Sequence, residues 1–174
     1  MTLLSSFFLS LILTIALTPL FSRLAMRLNI YDVPDARKVH KRPVPRIGGL
    51  AIAVGTFASI VLWAPMGDTL RAYLLGASIV VAVGFVDDWK GLGFKAKFTG
   101  QLAAALIAVL YGGIGISKLG TLLPEGMILP QAAMVVLTVV TIVGVTNAIN
   151  LADGLDGLAG GISMLSFACI GYLA

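Results

Sequence analysis

The chain has 174 residues, of which 59% are hydrophobic and only 11% charged, and its mean hydropathy is +1.02. A water-soluble domain carries about 25% charged residues, so this composition excludes one and calls for lipid around the chain. The formal net charge is +4, and the single cysteine and single histidine exclude an internal disulfide framework and a His-rich metal site.

In chain order, six apolar runs occupy residues 3–21, 48–63, 72–86, 98–116, 131–148 and 158–174. Runs of this kind cross about 30 Å of hydrocarbon as helices. They predict an all-α fold, a polytopic transmembrane bundle of about six spans forming one integral-membrane domain over residues 1–174. The third run is short. No Lys or Arg precedes the first run and no small-residue cleavage site follows it, so it reads as a span and not as a signal peptide. Arg23 and Arg27 come after it, which places the N-terminus outside and the next loop in the cytoplasm.

Alternating the spans makes the first, third and fifth loops cytoplasmic. Arg23, Arg27, Arg37, Lys38, Lys41, Arg42 and Arg46 fall in the first and Lys90, Lys95 and Lys97 in the third, ten of the twelve basic residues. Only Arg71 and Lys118 fall on the other side. The positive charge thus reports orientation, and no nucleic-acid partner is needed to account for it. Carboxylates have no such topological reason to cluster, yet Asp32, Asp35, Asp87, Asp88, Asp153 and Asp156 all map to the same face. Only Asp68 and Glu125 map to the other. This predicts one site on the cytoplasmic side.

Three stretches carry the chemistry. The first loop, DVPDARKVHKRPVPRIGG, sets basic residues among Pro34, Pro43 and Pro45, which favour extended segments. Lipid headgroups attract such a cluster at about 1 kcal/mol per charge, but Asp32, Asp35 and the glycine pair fit a shaped phosphate-handling loop better. At the end of the third run, VGFVDDWKG places Asp87 and Asp88 where apolar helix meets water. Ionisable groups at such a position are functional candidates, and Trp89 is an interfacial anchor. Adjacent helical residues point about 100° apart, so one carboxylate can accept a proton or hold a cation while the other orients a lysine.

In NAINLADGLDGLAGG, Asn147, Asn150, Asp153 and Asp156 recur every three residues and would form a slanted polar stripe on a helix. Their oxygens are ligands that Mg²⁺ accepts beside water and substrate phosphates. The spacing of Gly157 and Gly161 is one that allows close helix packing, and Cys169 reads as a small buried apolar residue. Carboxylates, Mg²⁺ and Lys or Arg together are the equipment of phosphoryl transfer. A cavity at the membrane surface suggests a phosphorylated lipid as one substrate and a soluble molecule as the other.

These three motifs, in this order, resemble the polyprenyl-phosphate N-acetylhexosamine-1-phosphate transferase family, with a first motif closer to undecaprenyl-phosphate GlcNAc-1-phosphate transferases than to the phospho-MurNAc-pentapeptide translocases. The resemblance implies transfer of GlcNAc-1-phosphate from a UDP-N-acetylhexosamine to undecaprenyl phosphate in the bacterial inner membrane, with release of UMP. It implies that Asp87 and Asp88 are catalytic, that Asn150 is a Mg²⁺ ligand, and that Asn147, Asp153 and Asp156 line the nucleotide-sugar pocket. Lys95, Lys97 and first-loop basics such as Lys38 and Arg46 would face phosphates.

Family members continue through further helices with a GDxGS-type segment and a His-containing loop. Neither occurs in this chain, which is therefore expected to be an N-terminal part, inactive alone. Two other classes fit less well. CDP-alcohol phosphotransferases need an Arg soon after the aspartates, and none follows Asp153 or Asp156. A small transporter, or a non-catalytic membrane fragment, is the remaining alternative, but transporters place polar groups at mid-membrane in broken helices, and these spans carry almost no mid-span charge.

Overall fold

The computed structural model describes residues 2–32, 43–122, 124, 126–152 and 157–173. Helix α1 spans Thr2–Arg27, strands β1 and β2 are Tyr31–Asp32 and Val44–Pro45, and α2 spans Gly48–Trp63. Helix α3 is Asp68–Lys90, and α4 is Phe94–Leu106, continued by a π-helical turn at Ile107–Tyr111. After a 3-10 turn at Gly120–Leu122 come α5, Gln131–Ala152, and α6, Leu158–Leu173. The chain divides into two compact units, Met1–Ile114 and Gly115–Ala174.

Each predicted apolar run falls on a helix; α1, α3 and α5 outrun their runs, α2 and α6 match theirs to within a residue, and α4 with its π-helical turn starts before the fourth run and stops at Tyr111, short of its end. At 1.5 Å per residue, α1, α3 and α5 are roughly 33–39 Å long, more than the roughly 30 Å of hydrocarbon requires. By length and composition these three are suited to crossing a membrane, while α2 and α6 are shorter apolar helices. The surplus turns carry the polar residues. Arg23 and Arg27 ride on α1, Asp87, Asp88 and Lys90 on α3, and Asn147 and Asn150 on α5. Lys95 and Lys97, expected in a loop, lie in the opening turns of α4. A helix extends past its apolar run because charged side chains at its end reach water while the backbone still bonds to itself.

What is buried is small. On α2 the buried positions are Ala51, Gly55 and Ser59, one every four residues, and on α3 they are Ala72 and Gly76. Leu3, Phe7, Ile15, Leu62 and Phe94 are exposed. A water-soluble protein reverses this distribution. Small residues at helix contacts with large apolar ones facing outward are the pattern of helices packing in lipid. Ser10 Oγ lies 3.4 Å from Thr56 Oγ1 across the α1–α2 contact, and Gly76 packs against the carbonyl of Ala104 on α4.

The end of α1 is closed by a left-handed residue, Asn29, at φ 58°, a conformation that asparagine tolerates better than most residues. The Ile30 N–H then bonds back to the Ala25 carbonyl at 2.8 Å, while Ala25 and Ile30 are buried together with Ile47. Burying Ile30 contributes about 2 kcal/mol. Strands β1 and β2 pair antiparallel, Tyr31 opposite Pro45 and Asp32 opposite Val44, and the Arg46 N–H donates to the Ile30 carbonyl at 3.3 Å. Sequence reading gave the first loop extended segments but not this pairing. Its basic run, including Lys38, lies outside the described residues.

In the second unit, Thr138 is buried and its hydroxyl serves twice, accepting the Ile116 N–H at 2.9 Å and donating to the Met134 carbonyl. Thr138→Val leaves that N–H without its acceptor, at a cost of about 1–3 kcal/mol. The expected result is faster amide exchange at Ile116, with recovery in Thr138→Ser. Unchanged exchange in the valine variant would count against this role. Gly157 opens α6 at φ +78°, and a Cβ at Gly161 would meet nothing within 4 Å. The two glycines therefore serve a turn and an open face here, with no close helix packing on them among the described residues. Cys169, expected to be buried, is exposed because the side chains of α6 have few packing partners among the described residues.

Candidate active site

Within the first unit, α1 ends, α2 begins, α3 ends and α4 begins at one end of the helix stack. The cluster of Ala25, Ile30 and Ile47, with Phe21 and Phe85 packed against it, ties three of these ends together. Phe85 is two residues before Asp87. The packing that closes α1 therefore also sets the last turns of α3 against the start of α2.

A cavity of about 160 Å³ opens there. Ile47 and Leu50 from α2 and its preceding residue, with Val81 and Phe85 from α3, give it apolar walls, and Gly49 and Gly84 leave it open. Its polar groups are Arg46 and Asp88. Asp88 is partly buried, which disfavours its charge, as does Asp87 beside it, while Arg46 and Lys97 favour it. The first turn of α2 has no side-chain cap, so its N–H groups add to the positive field near Arg46.

Asp87 points elsewhere. Its Oδ1 accepts the Leu92 N–H at 2.8 Å and its Oδ2 accepts Lys97 Nζ at 3.0 Å. Its main-chain carbonyl accepts the Gly91 N–H at 2.7 Å, where Gly91 turns the chain at φ 68°. The two aspartates, equivalent in sequence, thus face different partners. Lys95 and Lys97 also separate, since two residues on a helix span about 200°, and Lys95 is exposed. Lys90 Nζ sits 4.8 Å over the Trp89 ring, an exposed indole at the rim.

In the second unit, Asn147 and Asn150 occupy the last two turns of α5. Asn147 Nδ2 donates to the Val143 carbonyl at 2.8 Å, and Asn150 is exposed. Asp153 and Asp156, the rest of the expected stripe, lie outside the described residues. The structure thus brings Arg46, Asp87, Asp88 and Lys97 together in one unit and sets Asn147 and Asn150 on a single helix of the other. Sequence reading missed Ile47, Leu50, Val81, Gly84 and Phe85. Nothing could have flagged them, because apolar residues in apolar spans carry no pattern that separates cavity walls from lipid-facing surface.

Long apolar helices with small buried contacts define a helical membrane protein, and the charged cavity at their polar end is its candidate site. The glycosyl transferase family 4 pattern matches residues 70–174, and the chain belongs to that family. It is 38% identical over 108 residues to a Bacillus subtilis protein named "probable undecaprenyl-phosphate N-acetylglucosaminyl 1-phosphate transferase", covering 62% of this chain and 30% of that one. It is 33% identical over 142 residues to a decaprenyl-phosphate N-acetylglucosaminephosphotransferase of Mycobacterium leprae, covering 73% and 34%. It is 30% identical over 154 residues to an undecaprenyl-phosphate alpha-N-acetylglucosaminyl 1-phosphate transferase of Escherichia coli O157:H7, covering 87% and 41%. The chain therefore spans well under half the length of these relatives. No solved structure matches it.

Proposed function

We propose that this chain forms part of an enzyme that transfers GlcNAc-1-phosphate from UDP-GlcNAc to undecaprenyl phosphate at the cytoplasmic face of a bacterial inner membrane. The observation that carries this reading is the cavity shared by Asp88 and Arg46 at the polar end of long apolar helices. It offers a cation and a carboxylate to a phosphate that arrives with an apolar tail. The names of the three relatives, each a polyprenyl-phosphate transferase, support the same chemistry.

In the reaction an oxygen of the lipid phosphate attacks the sugar-bearing phosphorus of the UDP-sugar. The bond from that phosphorus to the bridging oxygen breaks, and UMP leaves. The Asp87–Asp88 pair serves the lipid phosphate, and Asp88, which lines the cavity, takes its proton where it arrives protonated. Arg46 and Lys97 offset phosphate charge, and Lys95 and Lys38 are assigned as further phosphate contacts. Asn147, Asp153 and Asp156 line the nucleotide-sugar pocket.

The donor chemistry fits Mg²⁺, which takes carboxylate and amide oxygens together with substrate phosphates and water. No group of three His, Cys, Asp or Glu side chains able to hold a metal occurs among the described residues. Asn150 would supply one ligand, beside other oxygen donors and the substrates. When bound, it neutralises pyrophosphate charge.

The test is UMP release from UDP-GlcNAc and undecaprenyl phosphate in membranes carrying the protein from its full reading frame, in a host without its own transferase. Release that depends on both substrates and on Mg²⁺ is expected, with Asn150→Ala raising the Mg²⁺ concentration needed for half-maximal rate. Absence of release, or an Asn150→Ala variant with unchanged Mg²⁺ dependence, counts against the assignment of the reaction or of the ligand respectively.

A further inference from the structure

We infer that Asp87 is a positioning residue, holding Lys97 and the α3–α4 turn in place for a phosphate bound beside Asp88, and that it does not itself touch the substrate. The inference rests on the function proposed above and divides the labour of the aspartate pair. Each Asp87 oxygen already accepts a hydrogen bond, one from the Leu92 N–H and one from Lys97 Nζ. Its side chain is 27% exposed and that of Lys97 34%, so the pair is sheltered without being cut off from water.

The local backbone makes this possible. Gly91 reverses the chain in the left-handed region, so Leu92 returns its N–H toward the last turn of α3. Helix α4 then starts at Phe94 and brings Lys97 round to the same carboxylate. An unpaired lysine samples many rotamers, whereas Asp87 selects one. Asp88, about 100° further round α3, is left to line the cavity with Arg46.

The two roles predict opposite signs for phosphate binding. An Asp87 that faced a phosphate would repel it, and Asp87→Asn would tighten binding. A positioning Asp87 loosens binding when it is replaced, because Lys97 is released. The probe is farnesyl phosphate, measured against the protein expressed from its full reading frame and purified in detergent. Asp87→Asn and Lys97→Gln are each expected to weaken binding by about fivefold, the scale of a partly exposed ion pair. The double variant should be no weaker than either single, while the effect of Asp88→Asn should multiply with that of Asp87→Asn.

Acetylation of Lys97, followed by mass spectrometry, supplies a readout independent of ligand. Asp87→Asn should speed it by about fivefold and Asp88→Asn should leave it nearly unchanged. Tighter farnesyl phosphate binding in Asp87→Asn, additive loss in the Asp87/Lys97 double variant, or release of Lys97 with unaltered binding would each overturn the inference. An unaltered chain that fails to bind farnesyl phosphate would instead sink the proposed function, and the inference with it.

Discussion

Asp88→Asn is expected to lower the rate of UMP release by about 10²–10⁴-fold, the range for loss of a group that handles a proton or orients the nucleophile. The substitution keeps the shape of the side chain and removes its charge and basicity. Because Asp88 lines the cavity with Arg46 and makes no contact that closes a turn among the described residues, the fold should survive. Thermal unfolding of the variant should lie close to that of the parent, and its loss should appear in kcat more than in KM for the lipid. Asp87→Asn should differ in kind, with a weaker grip on the lipid phosphate and slight destabilisation of the α3–α4 turn. Full turnover by Asp88→Asn would exclude the carboxylate from the reaction.

The largest stability effect is expected at Gly55. A Cβ built there would fall 2.5 Å from Thr14 Oγ1 and 2.9 Å from the Ser10 carbonyl oxygen, and the latter is backbone that cannot swing away. Gly55→Leu must therefore push α1 and α2 apart. It disrupts the Ser10–Thr56 contact and the four-residue repeat of Ala51, Gly55 and Ser59 on which the two helices meet. Overpacking of this kind costs about 1–3 kcal/mol, and the intrinsic gain from replacing glycine in a helix, about 1 kcal/mol, offsets only part of it. Gly144→Ala is the control, since nothing lies within 4 Å of a Cβ at that position. In detergent, a lower unfolding midpoint is expected for Gly55→Leu, and an equal or higher one for Gly144→Ala. A Gly55→Leu chain as stable as its parent would mean that the α1–α2 contact is not the tight one described.

The second effect also bears on the site. The α1–α2 contact leads into the turn at Asn29 and the cluster of Ala25, Ile30 and Ile47. Through Phe85 that cluster braces the last turns of α3. A change at Gly55, remote from the charges, is thus expected to loosen Arg46 relative to Asp88 and to lower activity along with stability.

Much of the fold was legible in the composition. Apolar runs of 15 to 20 residues have few alternatives in lipid, because every backbone N–H and C=O must be satisfied within the chain, and a helix does this locally. The placing of polar groups at helix ends was legible for the same reason, since charge within hydrocarbon is costly. Helix ends were less legible. Hydropathy marks where the oily stretch stops, while the helix continues until a residue such as Asn29 or Gly91 takes a left-handed conformation.

The sequence by itself determined that this protein is helical, lies in a membrane and carries paired aspartates and spaced asparagines at helix ends, because hydrophobicity and backbone hydrogen bonding act along the chain. Only the tertiary structure decided which small residues are buried, that Arg46 reaches the cavity of Asp88, and that Asp87 is engaged with Leu92 and Lys97. Adjacency in sequence gives two side chains a fixed angle between them. What each one faces depends on elements that pack beside the helix from elsewhere in the chain, and that information appears only when the helices meet.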